Sequence, residues 1–430
     1  MASQGMILPS YLVFKTMVFA FETHLESRQI AKTRESQIPK GAEELVTQAE
    51  FDAARAYQAD KRAFSRFKGK FDFIVELIMI FYVTPWVWFE VQKRYGGEAT
   101  LEQEINCSMI WLLIMHLINT FLGIGFSWYS DFVIEAKHGF NKKTRRLFVC
   151  DTIKMQIIAL VIGYLFIPRL ITIVRKGGDF FYLYVWLFVQ AVMLFLMFII
   201  PNWIMPLFYK LGPLQDQDLK AKIENLSQTV SFPLKNLYQI DGSTRSSHSN
   251  AFMYGFWKNK RIVIYDTLLD QCSHRQILAV LAHELGHWLY SHTIVNLVVS
   301  CVHSFAVFYL YSKVMDSKPL FEAFFYPDTN AVIIGLMLFQ YILSPVETVL
   351  SLALTMLSRR NEFQADENAV AMGYGQDLKD ALKIISKENK GDLNPDPWFA
   401  WFHFSHPSLI ERLEAIDGKK NKYLEKNKTQ

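Results

Sequence analysis

The sequence predicts an all-α polytopic membrane protein. Seven transmembrane helices are expected, with a cytosol-facing segment that carries an HExxH motif and a small β-hairpin. Three observations predict this. Of 430 residues, 51% are hydrophobic and 20% charged, and the mean hydropathy is positive, at +0.12. Seven apolar runs approach or exceed the roughly 20 residues a helix needs to cross a bilayer. Lys and Arg concentrate in alternate connections between those runs. The composition excludes a disordered chain, a collagen and a small disulfide scaffold. A formal charge of +4 gives no electrostatic case for a nucleic-acid partner. Cys107, Cys150, Cys272 and Cys301 show no CxxC spacing, so they read as reduced structural residues.

The apolar runs are 6–22, 71–92, 108–132, 152–175, 180–208, 294–314 and 331–357. The first is short and carries Lys15. No Lys or Arg precedes its apolar core and no small-residue cleavage site follows, so it reads as a retained anchor. The connection 23–70 holds ten Lys and Arg, and 133–151 holds Lys137, Lys142, Lys143, Arg145 and Arg146. Odd-numbered connections are therefore expected in the cytosol, with the N-terminus across the membrane and the C-terminus cytosolic. Four regions result: 1–208 with five spans, 209–293 as a cytosolic catalytic segment, 294–357 with two spans, and 358–430 as a second cytosolic segment. The last ends in GKKNKYLEKNKTQ, read as a solvated, frayed tail.

Several spans carry groups that lipid disfavours: Glu76, His116, Asn119, Arg169, Gln190, Asn202, Gln340 and Glu347. Singly, each could hydrogen-bond between helices. Together they point to a polar internal space. Pro85, Pro168, Pro201 and Pro345 are expected to kink their helices.

Residues 276–290 read QILAVLAHELGHWLY. His283 and His287 lie four apart, so they share one helical face and can hold one metal ion. Glu284 stands beside the first of them, placed to act as a general base. A catalytic zinc needs three protein ligands and one open position. A metzincin would put Gly and His where Tyr290 and Thr293 stand, so the third ligand is not supplied in that way. His292 is nine residues from His283, about half a turn out of phase on a continued helix, and is expected to face away. Glu347 lies roughly 20 Å too deep at 1.5 Å per residue. The segment 358–369, SRRNEFQADENA, places Glu362 and Asp366 on one helical face at similar depth to the motif. Glu362 is the expected ligand, one zinc per chain; the alternative is a salt bridge to Arg359 or Arg360. Asp366 can accept an N–H from a ligating histidine.

Around this centre, NAFMYGFWKNKRIVIYD (250–266) reads as two β-rich runs about a polar WKNK turn. A strand edge there offers backbone hydrogen bonds to an extended peptide. Asn250 could bind substrate backbone or form a turn. His406 could donate to a developing oxyanion or be a loop residue. Arg412 could anchor a substrate carboxylate or form an ion pair.

HELGHW, RRNEFQAD, DGSTRSSHSNAFMYGF, EAKHGFNKKT, SHPSLIERL and FETHLESRQ together resemble the type I integral-membrane CAAX prenyl proteases. The resemblance runs along nearly the whole chain. It implies seven long helices enclosing a hollow chamber, capped from the cytosolic side by a zinc site. It implies zinc ligation by His283, His287 and Glu362, catalysis with Glu284 as base, and substrate and transition-state contacts from Asn250 and His406. It also implies removal of the terminal tripeptide from prenylated CAAX proteins or peptides, by a multi-pass protein of the endoplasmic reticulum membrane. The partners expected are therefore prenylated substrates and membrane lipid, and the chain is expected to be a monomer. Phe252-Met253 departs from the aromatic pair the family tends to show. The rival readings are a quality-control zinc protease of membrane proteins and a transporter or channel with a structural metal site. A structural site would normally be closed by four protein ligands. A site-2-type protease would need its HExxH inside a span, paired with a DG motif; Asn394-Pro395-Asp396 lies in a polar stretch.

Overall fold

The computed structural model describes residues 4–96, 98–255 and 259–428. The first half of the chain is helical. It comprises α1 (Ile7–Thr33), α2 (Gln48–Ile78), α3 (Thr84–Tyr95), α4 (Leu101–Tyr129), α5 (Arg145–Lys176) and α6 (Phe181–Ile199). A mixed region follows: β1 (Leu211–Pro213), α7 (Gln217–Thr229), β2 (Leu234–Ile240), β3 (Ala251–Tyr254), β4 (Lys260–Tyr265), α8 (Asp266–Gln271) and α9 (His274–Leu289). The chain ends with α10 (His292–Tyr311), α11 (Lys318–Ala323), α12 (Val332–Ala371), α13 (Gly375–Glu388), α14 (Pro397–His403) and α15 (Leu409–Lys428).

Among the described residues, six helices are long and apolar enough to cross a membrane: 48–95, 101–135, 145–176, 178–207, 292–311 and 332–371. Large apolar side chains such as Phe121, Tyr164 and Val302 face outward along them, as lipid-facing surfaces do. The run 6–22 falls in α1, where Lys15 pairs with Glu76 at 2.8 Å and the Tyr11 hydroxyl donates to the same carboxylate at 2.7 Å. Gln190 donates to Ser304, and Glu347 pairs with His303 at 2.8 Å. These intramembrane polar groups thus find partners on neighbouring helices. A cavity of about 1270 Å³ lies between α2, α4, α5 and α6.

The prolines act in two ways. Pro201 lies within a π-helical turn, Ile200–Ile204, and Pro85 directly follows another, Met79–Val83, where the Thr84 hydroxyl donates back to Met79. A wider turn absorbs the ring and the lost N–H. Pro168 and Pro345 sit inside α5 and α12, which continue through them.

The expectation of an all-α fold with one hairpin is corrected by a four-stranded sheet in the order β1-β2-β4-β3. β3 pairs antiparallel with β4, Ala251 opposite Ile264. β2 runs parallel to β4, a long-range pairing that no local turn signal announces. Of the WKNK turn, Trp257 and Lys258 lie outside the described residues. Ile262, Val263 and Ile264 are fully buried, as a strand covered on both faces requires. The core around Ile262 and Ile264 includes Ile223 of α7, Ile277, Leu281 and Leu285 of α9, Leu378 of α13 and Ile416 of α15. The tail expected to fray is helical instead, α15 continuing to Lys428.

Two features bring α9 and α12 together. Ser273 caps α9 in a reciprocal box with Gln276, a device worth about 1 kcal/mol. At Gly286 the helices nearly touch: a Cβ there would stand 2.9 Å from Ala365 Cα, and Asn368 Nδ2 donates to Ala282 O at 2.8 Å. At 1.5 Å per residue, α12 is about 60 Å long against a hydrocarbon core of about 30 Å. It is thus about twice as long as such a core is thick.

Candidate metal centre

α9 presents His283 and His287 toward Glu362 on α12. The two Nε2 atoms lie 3.3 Å apart. Glu362 Oε1 is 3.3 Å from His287 Nε2, and Oε2 is 3.5 Å from His283 Nε2. Donors bound at about 2.0–2.1 Å to a tetrahedral zinc stand about 3.3–3.4 Å apart. The spacing and the donor chemistry therefore both fit such an ion. Glu362 is buried, and its Oε2 receives no aligned hydrogen bond. His406 Nδ1 approaches that oxygen to 2.9 Å as an ion-pair contact, but out of line for a hydrogen bond. A buried carboxylate oxygen lacking a donor is what a missing cation would explain. Arg359, the alternative partner foreseen for Glu362, binds Glu411 at 2.8 Å.

Asp366 lies one turn along α12, 2% exposed, with Oδ1 2.8 Å from His283 Nδ1. Arg412 of α15 forks onto it: Nε to Oδ2 at 2.9 Å and Nη2 to Oδ1 at 2.6 Å. Arg412 Nη1 also stands 3.7 Å from Glu362. The guanidinium is thus held by the carboxylates of the centre. Glu284 is half-buried beside His283. Burial, reinforced by the Glu362 carboxylate, outweighs the nearby imidazoles and Arg412 and pushes the pKa of Glu284 up.

His406 sits at the rim of the centre with its side chain largely exposed. Asn250 is exposed at the mouth of β3; its Oδ1 accepts from Ala251 N and its carbonyl from Tyr265 N. β3 is an edge strand of the sheet and packs against α9.

His292 overturns one expectation. Its Nδ1 lies 2.9 Å from His287 Nδ1, and its Nε2 lies 3.0 Å from Gln364 Oε1. The helical phase argument fails because α9 stops at Leu289. Ser291, at φ 57°, turns the chain into α10 and brings His292 back over His287. A Ser-His pair just before an apolar run was the available signal of a helix restart.

Imidazoles four apart, a carboxylate from a second helix and an adjacent glutamate define a membrane-embedded metallopeptidase. Comparison with known proteins agrees. Residues 28–210 match the model described as CAAX prenyl protease N-terminal, five membrane helices, and residues 213–420 match peptidase family M48. A CAAX prenyl protease 1 homologue of Oryza sativa subsp. japonica is 42% identical, the alignment covering 95% of this chain and 97% of the relative. The Homo sapiens homologue is 38% identical, covering 97% and 96%. A crystal structure of Ste24p from S. mikatae superposes with a TM-score of 0.89 at 34% identity, covering 96% of this chain and 99% of that one. The chain belongs to the CAAX prenyl protease 1 family of M48 metallopeptidases.

Proposed function

We propose that the chain is a zinc endopeptidase that removes the C-terminal tripeptide of farnesylated or geranylgeranylated CAAX proteins. The observation that carries the site is the triangle of His283 Nε2, His287 Nε2 and Glu362, its sides 3.3–3.5 Å, with Glu284 adjoining it. The substrate class rests on the names of relatives that match nearly the full chain.

His283, His287 and Glu362 would hold the zinc. When bound, zinc lowers the pKa of its water to about 7 and polarises the scissile carbonyl. Glu284 takes the proton of the attacking water on a carboxylate oxygen and passes it to the leaving nitrogen. Asp366 accepts the Nδ1–H of His283 and is itself held by Arg412. His406 donates toward the developing oxyanion from the rim. The edge of β3, opened by Asn250, binds extended substrate backbone.

The same reading makes α1 a seventh span, its Lys15 neutralised by Glu76 inside the bundle. The N-terminus is then lumenal in the endoplasmic reticulum membrane, and the centre and C-terminus face the cytosol. The test is cleavage of a farnesylated CAAX peptide by the purified protein, before and after chelation and after return of zinc. Turnover that survives removal of all metal would overturn the assignment.

A further inference from the structure

The structure assigns His292 and Gln364 a part in the chemistry: together they form a neutral relay that fixes the tautomer and ring orientation of His287. The inference rests on the metal assignment above.

The argument is a count of protons. His287 turns Nε2 toward His283 Nε2 and Glu362, so the lone pair that binds a cation is on Nε2. A neutral imidazole carries one proton, which must then be on Nδ1. That N–H points at His292 Nδ1, 2.9 Å away, which must therefore accept. The single proton of His292 then resides on Nε2, where it donates to the Gln364 carbonyl at 3.0 Å. An amide oxygen can only accept, so Gln364 sets the direction of the whole chain, provided its amide is oriented as in the structure. His292 is 6% exposed, which keeps water from substituting as acceptor.

His292 is not a fourth ligand. It meets the far nitrogen of His287, on the side of that ring away from Glu362.

The relay contrasts with the support behind His283. There the partner is the Asp366 carboxylate, itself gripped by Arg412. A carboxylate makes its imidazole a stronger donor to metal. A second carboxylate behind His287 would add negative charge beside Glu284, whose carboxyl burial already pushes up. A histidine–glutamine pair orients His287 without that charge. One stretch of α12 thus supplies a ligand, Glu362, and the partners that orient both others, Gln364 through His292 and Asp366 directly.

The test measures zinc affinity against a competing chelator, in detergent-solubilised full-length protein. His292→Phe removes the acceptor and is expected to weaken zinc binding about 10–100-fold. His292→Asn puts an amide oxygen where Nδ1 stood and should recover most of the loss. His292→Gln places its amide at the Nε2 position instead and should not. Gln364→Leu never touches His287, yet it frees His292 to adopt the opposing tautomer and should also weaken zinc. In the His292→Phe background it should add nothing. Thermal melting of the metal-free proteins checks that each variant folds. If His292→Phe and Gln364→Leu bind zinc as the wild type does, or if Gln rescues as well as Asn, the relay is wrong while the metal assignment stands. If the wild type itself binds no zinc, both fall.

Discussion

α12 carries a buried arginine–carboxylate cluster at each end, and the two differ in how fully their oxygens are satisfied. At the N-terminal end, Glu104 of α4 takes Arg175 Nε at 2.6 Å, Arg175 Nη2 at 3.0 Å and the Val332 N–H at 2.9 Å. Arg175 also donates to Asn330. At the C-terminal end, Arg412 grips Asp366 in a comparable fork, but Glu362 beside it keeps Oε2 without an aligned donor. The first cluster ties α4 and α5 to the start of α12 and uses its hydrogen-bonding capacity internally. The second leaves capacity over, next to two imidazole nitrogens facing the same point. Burial and ion pairing alone do not separate a staple from a site; an unspent acceptor facing two imidazole nitrogens does.

Substitutions at the two ends should therefore fail differently. The largest effects belong to the metal end. Glu362→Gln should lose zinc and peptidase activity together, read by metal analysis and by cleavage of a farnesylated peptide. Glu284→Gln should retain zinc while turnover falls by at least about 10²–10⁴-fold, the range for loss of a general base. Wild-type turnover in that variant would remove Glu284 from its role. At the other end, Glu104→Ala leaves the Arg175 guanidinium unpaired. It should cost about 3–5 kcal/mol of stability, seen as a lower melting temperature, without changing zinc content per folded molecule. Zinc loss there would erase the distinction between the two clusters.

The difference also explains what the sequence disclosed. HExxH announces His283 and His287 because both ligands lie within one helical turn and a half. Glu362 was reachable because the return of a helical hairpin sets its depth, and Asp366 because it stands four residues on. Helical phase misplaces His292 because Ser291, with its positive φ, ends the helix before it. The parallel pairing of β2 with β4 was invisible, since its register is set by packing under α7 and α9 rather than by a turn. Six of the seven apolar runs fall on the membrane-capable helices, but 71–92 and 331–357 stop well short of the helices 48–95 and 332–371. They could not show that α12 continues unbroken for 40 residues, from the Glu104 cluster to beyond the centre. Polar residues past 357 look like a loop unless the carboxylates they carry are seen to share a helical face.

A smaller effect sharpens the comparison within the metal end. Asp366→Asn keeps an acceptor for the His283 N–H but loses the charge and half the Arg412 fork. Zinc affinity should fall about 10–100-fold, with the site still assembled. A loss as complete as that of Glu362→Gln would mean that Asp366 binds the ion itself.

The smallest effect concerns a third pair, Arg28 with Asp396, which joins α1 to the start of α14. Asp396 accepts Arg28 Nε at 3.1 Å and Nη2 at 2.9 Å, and the N–H groups of Trp398 and Phe399 at 3.1 Å each. Like Glu104, it is fully engaged. Burial pushes its pKa up, but Arg28 and the two N–H groups outweigh that and hold it below the ordinary carboxylate range. A carboxyl with a depressed native pKa stabilises the fold above its unfolded value, about 3.9, and loses that contribution as pH falls through the native value. The melting temperature should therefore drop below about pH 4 in part through this group, and Asp396→Asn should flatten the drop. Arg28 is 41% exposed, so solvent screening keeps the change small. Because α14 leads directly to His406, loosening this pair should also lower peptidase activity before zinc is lost. A variant that loses zinc first would show instead that α1 bears on the metal ligands rather than on the rim.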